Sequence, residues 1–306
     1  MTDETAFIGL LRGLATDPAA RGLLDDAAVL DIGGTQLVLT SDTLVEGVHY
    51  LPDDPPDTIG WKLAAVNLSD LAAKGAKPIA CLMNYALSGD DGWDSAFLSG
   101  LRAALEQFAM PLVGGDTVAM PRGSARSFTL TAIGSATATP VPSRTGARAG
   151  DVLYVTGPVG DSGAGLALLR SGQSSPIALI DAYRRPQPRV AEGKALAPYV
   201  TAMMDISDGL LIDAQRMAVA SGIGVTVDYI SVSDAFLALR GRAAQIEAAT
   251  SGDDYELLFA APEGAVLPVP AIAVGRFDTG DGMRLVLDGQ TVPLPKHIGY
   301  QHKGST

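Results

Sequence analysis

The sequence predicts an α+β protein built from two α/β domains, and three observations predict it. The chain has 306 residues, long for one core and sufficient for two. Its β-rich and helical runs are mixed, without the strict alternation that a single parallel sheet requires. Near the middle, proline, glycine and polar residues cluster in Thr139-Pro140-Val141-Pro142-Ser143-Arg144-Thr145-Gly146, so we place the boundary there, giving domains 1–139 and 140–306.

Each element has its own signal. From Glu4 to Ala15, the spacing of Phe7, Ile8, Leu10, Leu11 and Leu14 fits an amphipathic helix. Strands over 28–31 and 36–40 are joined by a Gly33-Gly34 turn, the mark of a hairpin. Asp57 to Ala73 reads as a helix stopped by Gly75. A strand over 79–86 and a helix over 91–108 follow, the latter capped by Ser88 or Asp90. Pro111 to Gly115 reads as a short strand entering a loop, and 127–137 as another strand. After the boundary come a strand over 151–156 and helices over 161–169, 176–184 and 187–197. A strand over 202–206, a helix over 209–220 and strands over 224–228, 255–260, 272–275 and 284–287 complete a second sheet. There is no sequence repeat and no low-complexity tail.

Composition narrows the function classes. With 47% hydrophobic and 18% charged residues the chain is globular rather than disordered. A net charge of −12 argues against a nucleic-acid binder, which needs a basic face. Alone, that charge is a solubility feature. If the substrates are phosphates, either Arg and Lys converge locally or metal ions separate the negative groups. The single cysteine, Cys81, excludes an intrachain disulfide framework, disfavours thiolate-bound zinc and lies in an apolar run that buries it. The start of the chain, Met1-Thr2-Asp3-Glu4-Thr5, carries acid where a signal peptide needs base, and no run matches a membrane-spanning helix, so a soluble cytoplasmic protein without membrane association is expected. Walker A, dinucleotide, nucleophile-elbow and zincin motifs are absent. The Gly160-to-Gly165 run has the wrong spacing for a phosphate loop and reads as a tight turn opening a helix.

What the chain has instead is aspartate at element ends: Asp25-Asp26, Thr40-Ser41-Asp42, Asn67 with Asp70, Gly115-Asp116, and Asp205 with Ser207-Asp208. Singly, each has an ordinary structural use as a helix cap, a turn former or a solvated helix residue. As a set they form an oxygen-donor group without Cys or His, the donor type that selects Mg²⁺ when phosphates are present. Asn67 and Asp70 are three apart and share a helix face crowded by Leu63, Val66 and Leu71. A carboxylate buried there must be paired or bind a metal.

These runs, with Thr43-Leu44-Val45-Glu46-Gly47-Val48-His49, Met204-Asp205-Ile206-Ser207-Asp208-Gly209-Leu210 and Ser251-Gly252-Asp253-Asp254-Tyr255-Glu256-Leu257, occur in the order found in thiamine-monophosphate kinases. The resemblance runs from Phe7 to Tyr300. It implies the aminoimidazole-ribonucleotide synthetase-like fold, a homodimer pairing N-terminal sheets, and a cleft between domains. It also implies a kinase using ATP and several Mg²⁺ ions to convert thiamine monophosphate to thiamine diphosphate. Residue by residue, it makes Asp26, Thr40, Ser41, Asp42, Asp70, Asp116, Asp205 and Asp208 magnesium ligands. It makes Gly115, Asp116, Arg144 and Ser207 ATP contacts, and His49, Asp253 and Tyr300 contacts to the thiamine phosphate. Asp42, Asp116, Asp208 and Arg144 take the catalytic roles.

Departures from the family pattern are Leu24 for a glycine, Ser251 and Asp253 for glycine and glutamate, and Lys303 after Gly299-Tyr300-Gln301-His302. Related enzymes fit less well: selenophosphate synthetases need an N-terminal Cys or selenocysteine with Lys, and hydrogenase-maturation members end in Cys, whereas this chain ends Gly304-Ser305-Thr306. A non-catalytic nucleotide-binding dimer is the alternative of a different class, and the intact acidic set argues against it.

Overall fold

The computed structural model describes residues 4–121 and 123–302; Lys303 and the terminal Gly304-Ser305-Thr306 lie outside the described residues. Helix α1 (Glu4–Leu11) and a 3-10 turn over Pro18–Leu23 lead to strands β1 (Ala28–Ile32) and β2 (Thr35–Val45). Then follow α2 (Pro56–Ala73), β3 (Ala76–Leu87), α3 (Asp91–Gln107), β4 (Leu112–Ala119) and β5 (Ser127–Ala136). The second half begins with β6 (Val152–Val155), α4 (Asp161–Arg170), α5 (Ile177–Arg184), α6 (Val190–Leu196), β7 (Ala202–Asp205) and α7 (Leu210–Ser221). It ends with β8 (Gly224–Val227), α8 (Asp234–Arg240), α9 (Gln245–Thr250), β9 (Leu257–Ala261), β10 (Ile272–Asp278), β11 (Met283–Leu287) and β12 (Gln290–Val292).

Two mixed sheets result. The first runs β1-β2-β5-β3-β4 and the second β12-β11-β8-β10-β6-β9-β7. β3 and β4 pair in parallel, as do β8 and β11, and the other pairs are antiparallel. Along β5 burial alternates, with Phe128, Leu130 and Ala132 turned inward, as a half-buried strand requires. The opposite face carries exposed hydroxyl pairs, Ser41 with Thr131 at 2.9 Å and Thr43 with Thr129 at 2.7 Å.

Helix α2 is the centre of the molecule. A helix on a surface keeps a polar stripe, but α2 is buried on nearly every side. It packs on β2 and β5, on α3, and on α6 and β7 of the second half. Small residues allow this. Gly193 of α6 lies so close that a Cβ there would meet the Ala72 carbonyl oxygen at 2.1 Å. Phe97, Phe128 and Tyr85 complete the first core, while a second core fills the space between α7 and the seven-stranded sheet. No helix among the described residues is long and apolar enough to cross a membrane.

Several edges differ from expectation. The strand read as 111–115 extends over Leu112–Ala119, because pairing with β3 carries it through Gly114-Gly115. Gly115 has φ of 150°, and a Cβ would lie 1.8 Å from the Met83 carbonyl oxygen, so only glycine fits that crossing. The α3 cap is Asp90, whose carboxylate accepts from the Gly92 and Trp93 amides. Helices α8 and α9 and strand β12 have no counterpart in the expected elements.

Candidate active site

The cleft begins at the C-terminal part of α2. Asn67 and Asp70 share a face, as their spacing predicts, and both turn toward β2. Asn67 accepts from the Asp42 amide at 3.1 Å and donates to the Leu63 carbonyl, so it fixes the strand that carries Asp42. Thr40 donates to the Asp70 carboxylate, and Ser69 donates to Asp205 Oδ2 at 2.6 Å. One oxygen from each of Asp26, Asp70 and Asp205 lies within 4.8 Å of the others. Three carboxylates that close are mutually repulsive without a cation.

The electrostatics reflect that. Burial, reinforced by the charges of Asp42, Asp205 and Asp26, raises the Asp70 pKa well above the carboxylate range. Burial first, then the Asp26 charge, pushes Asp205 up to about 8. Burial likewise pushes Asp42 up to about 6, with Asp26 adding to it. For Asp26, burial also acts upward, but Arg144 and Lys74 outweigh it and hold the group below its ordinary value. Lys74, the C-cap residue of α2 and fully buried, lies 2.8 Å from Asp26 Oδ2, pairs with Asp25 and donates to the Met203 carbonyl. The donor set is all oxygen, crowded and under-compensated, and it fits a hard divalent cation such as Mg²⁺.

The cleft has a volume of about 610 Å³ and runs from this cluster between the two halves. Asp42, Asp70, Asp205, Ser207 and Asp208 line it together with His49, Asp253 and Tyr300. Backbone bonds bring the distant segments together: Asp253 N–H to Ser207 O at 2.8 Å, Tyr255 N–H to Ile206 O at 2.8 Å, and Tyr300 N–H to Asp208 O at 3.0 Å. Arg216 pairs with Asp208 and bonds Asp213 at 2.8 Å, bracing the turn after β7. The Val45 amide donates to His49 Nδ1 at 3.0 Å, which leaves the neutral ring's proton on Nε2. Burial, with His302 and Lys62 adding, lowers the His49 pKa against the pull of Asp253, so the ring is neutral at pH 7.

Not every expected residue joins the cleft. Strand alternation turns the Ser41 side chain to the other face of the sheet, where its hydroxyl meets Thr131. Gly115 and Asp116 stand exposed on β4, separated from β2 by β3 and β5. Arg144 sits beside the cluster, paired with Asp26, and its buried Nε has no hydrogen-bond partner.

Comparison with known proteins decides the family. Residues 24–136 match AIR synthase related protein, N-terminal domain, and residues 148–273 match AIR synthase related protein, C-terminal domain. The chain is 40% identical over 301 residues to the thiamine-monophosphate kinase of Salmonella typhimurium, covering 92% of this chain and 91% of that one. This chain belongs to the thiamine-monophosphate kinase family. A solved structure of AaThiL complexed with AMPPCP and TMP superposes with a TM-score of 0.88 at 30% identity, covering 98% of this chain and 97% of the other. The thiamine-monophosphate kinase of Stenotrophomonas maltophilia gives 0.77 at 35%, covering 94% and 96%.

The departures from the thiamine-monophosphate kinase pattern now have local explanations. Leu24 has φ of −114° and is 42% exposed, so its side chain fits without strain. Ser251 donates to the Glu247 carbonyl at 2.8 Å and so ties the end of α9. Asp253 reaches Lys62 at 2.8 Å and accepts from the Tyr255 hydroxyl at 2.9 Å. Arg216 was missed as a site residue; Lys62 and Lys74, which the sequence offers as cations near Asp70, pair instead with Asp253 and with Asp25 and Asp26. The signal for the two lysines was their place on a helix with almost no polar face, where a cation needs buried acceptors.

Proposed function

We propose that the chain transfers the γ-phosphoryl group of ATP to the phosphate of thiamine monophosphate, giving thiamine diphosphate. The observation that carries this reading is the cleft, whose lining brings Asp42, Asp70, Asp205 and Asp208 together with His49, Asp253 and Tyr300. The complex of AaThiL with AMPPCP and TMP, at 98% coverage, supports the same assignment.

Asp26, Asp42, Asp70, Asp205 and Asp208 would hold Mg²⁺, with the Thr40 hydroxyl orienting Asp70. When bound, Mg²⁺ screens the repulsion between two phosphates and stabilises charge on the group in transfer. The chain's own residues do the remaining work. The acceptor is already an anion, so no side chain has to remove a proton from it. Arg144, paired with Asp26 beside the cluster, is the guanidinium assigned to phosphate oxygens. His49 Nε2–H donates into the cleft, and the Tyr300 ring offers a stacking face for the thiamine rings. Holding donor and acceptor in line then adds an orientation effect to that charge stabilisation.

The same reading includes a boundary at 139/140 and Gly115, Asp116 and Ser207 as ATP contacts, but not the Ser41 hydroxyl, which faces Thr131 on the other side of the sheet. It also includes a cytoplasmic enzyme whose two copies pair their N-terminal sheets. Pairing would cover the exposed face of β3 and β4, where Ile79, Leu82, Val113 and Val118 lie open. The test is direct: purified protein with ATP, Mg²⁺ and thiamine monophosphate, with products separated by chromatography. Thiamine diphosphate that disappears with EDTA supports the reading, and its absence with intact folding overturns it.

A further inference from the structure

Lys62 is an unusual place for a charge. It lies on α2, is 2% exposed, and reaches three groups from three different segments. Its ammonium donates to the His49 carbonyl at 3.0 Å and to Asp253 Oδ2 at 2.8 Å, and sits 4.2 Å from the Tyr183 ring centroid. Two hydrogen bonds and one aromatic face account for the three ammonium hydrogens. An ammonium withdrawn from water this far is retained only where its partners are well placed.

Those partners matter because of what they carry. His49 follows β2, and its ring is held by the Val45 amide. Asp253 lies in the loop before β9 at φ 67°, a left-handed conformation that a non-glycine residue holds only under local constraint. Its second oxygen is held by the Tyr255 hydroxyl. Without Lys62, Asp253 would face the cleft with one partner, and the backbone at His49 would lose its tie to α2.

We infer that Lys62 is a positioning residue for thiamine-phosphate recognition, fastening His49 from the first half and Asp253 from the second into one fixed pair. This rests on the function proposed above. Lys62 touches no substrate; it sets the separation of two groups that do. It also gives the aspartate at 253 a fixed place, one oxygen on the Lys62 ammonium and the other on the Tyr255 hydroxyl.

The test uses the full-length protein with Lys62→Met, which keeps the apolar stem and removes the ammonium. We expect KM for thiamine monophosphate to rise about tenfold or more while KM for ATP stays within about threefold. In an Asp253→Asn background, the same substitution should add less than about threefold, because both act through one pair. Equal effects on both substrates, or full additivity, overturn the inference. A second arm does not depend on turnover. With histidines labelled and the His49 signal assigned by loss in His49→Gln, its titration midpoint should rise in Lys62→Met. The charged and titratable groups facing that ring are Lys62 on α2, Asp253 on the loop and His302 on the C-terminal segment. An unmoved midpoint overturns the inference. If Lys62→Met does not fold, Asp253→Asn carries the test alone: the midpoint should fall, because Lys62 then stands by the ring without its counter-ion. If the wild type makes no thiamine diphosphate, the proposed function fails while the titration arm still judges the geometry.

Discussion

At the level of single residues, the acidic cluster sets the clearest expectations. Asp42→Asn should leave the fold intact and lower kcat by roughly 10²–10³-fold, because one fixed charge is lost where charge develops. Unchanged turnover would remove Asp42 from the mechanism. The cluster also makes stability depend on pH. Asp42, Asp70 and Asp205 have folded pKa values above those of the unfolded chain, so the folded state holds extra protons between the two. Their contribution is fully present below the ordinary carboxylate value and is lost as pH rises through the folded values. The metal-free protein should therefore melt at progressively lower temperature from about pH 4 to pH 8. Saturating Mg²⁺ should abolish most of that decline, and calorimetry should show proton release on binding near neutral pH. A metal-free melting temperature that climbs over that window contradicts the assigned shifts.

At the level of elements, α2 connects sequence to function. Its apolar and small residues made its length legible, and the three-residue spacing of Asn67 and Asp70 placed them correctly on one face. The lysine of that helix and the one at its C-cap were harder to read. Lys62 and Lys74 look like ordinary solvated lysines until the helix is known to have no solvent side. Likewise β4 looked short because Gly114-Gly115 reads as a loop; its pairing with β3 is a long-range effect that local signals do not carry. Ser41 shows the same limit: alternation along β2 follows from sequence, but which face becomes the cleft does not. Helices α8 and α9 were invisible because each spans only two turns and is stabilised by packing on α4. The tight α2–α6 contact makes its own prediction. Gly193→Ala should destabilise the protein by about 1–3 kcal/mol, since the added methyl would meet the Ala72 carbonyl. Thermal or denaturant unfolding would measure it, and an unchanged midpoint would show that α6 can move away freely.

At the level of the whole molecule, two mixed α/β halves were legible from length, composition and punctuation, whereas the strand order of each sheet, set by long-range pairing, was not. Association was not, because nothing within one chain states what covers its outer sheet. The exposed apolar residues on β3 and β4 lead to a definite expectation: sedimentation should give twice the 31.4 kDa chain mass, and Leu82→Lys should shift the species toward one copy. A wild-type protein that sediments at the single-chain mass would exclude sheet pairing.

Lys74 has a consequence for how such proteins can be recombined. Its ammonium belongs to the first half, yet one of its acceptors is the Met203 carbonyl of β7, and Asp25 and Asp26 complete the set. A chimaera joined near residue 139 would keep that cation fully bonded only if the incoming β7 set a main-chain carbonyl within its reach.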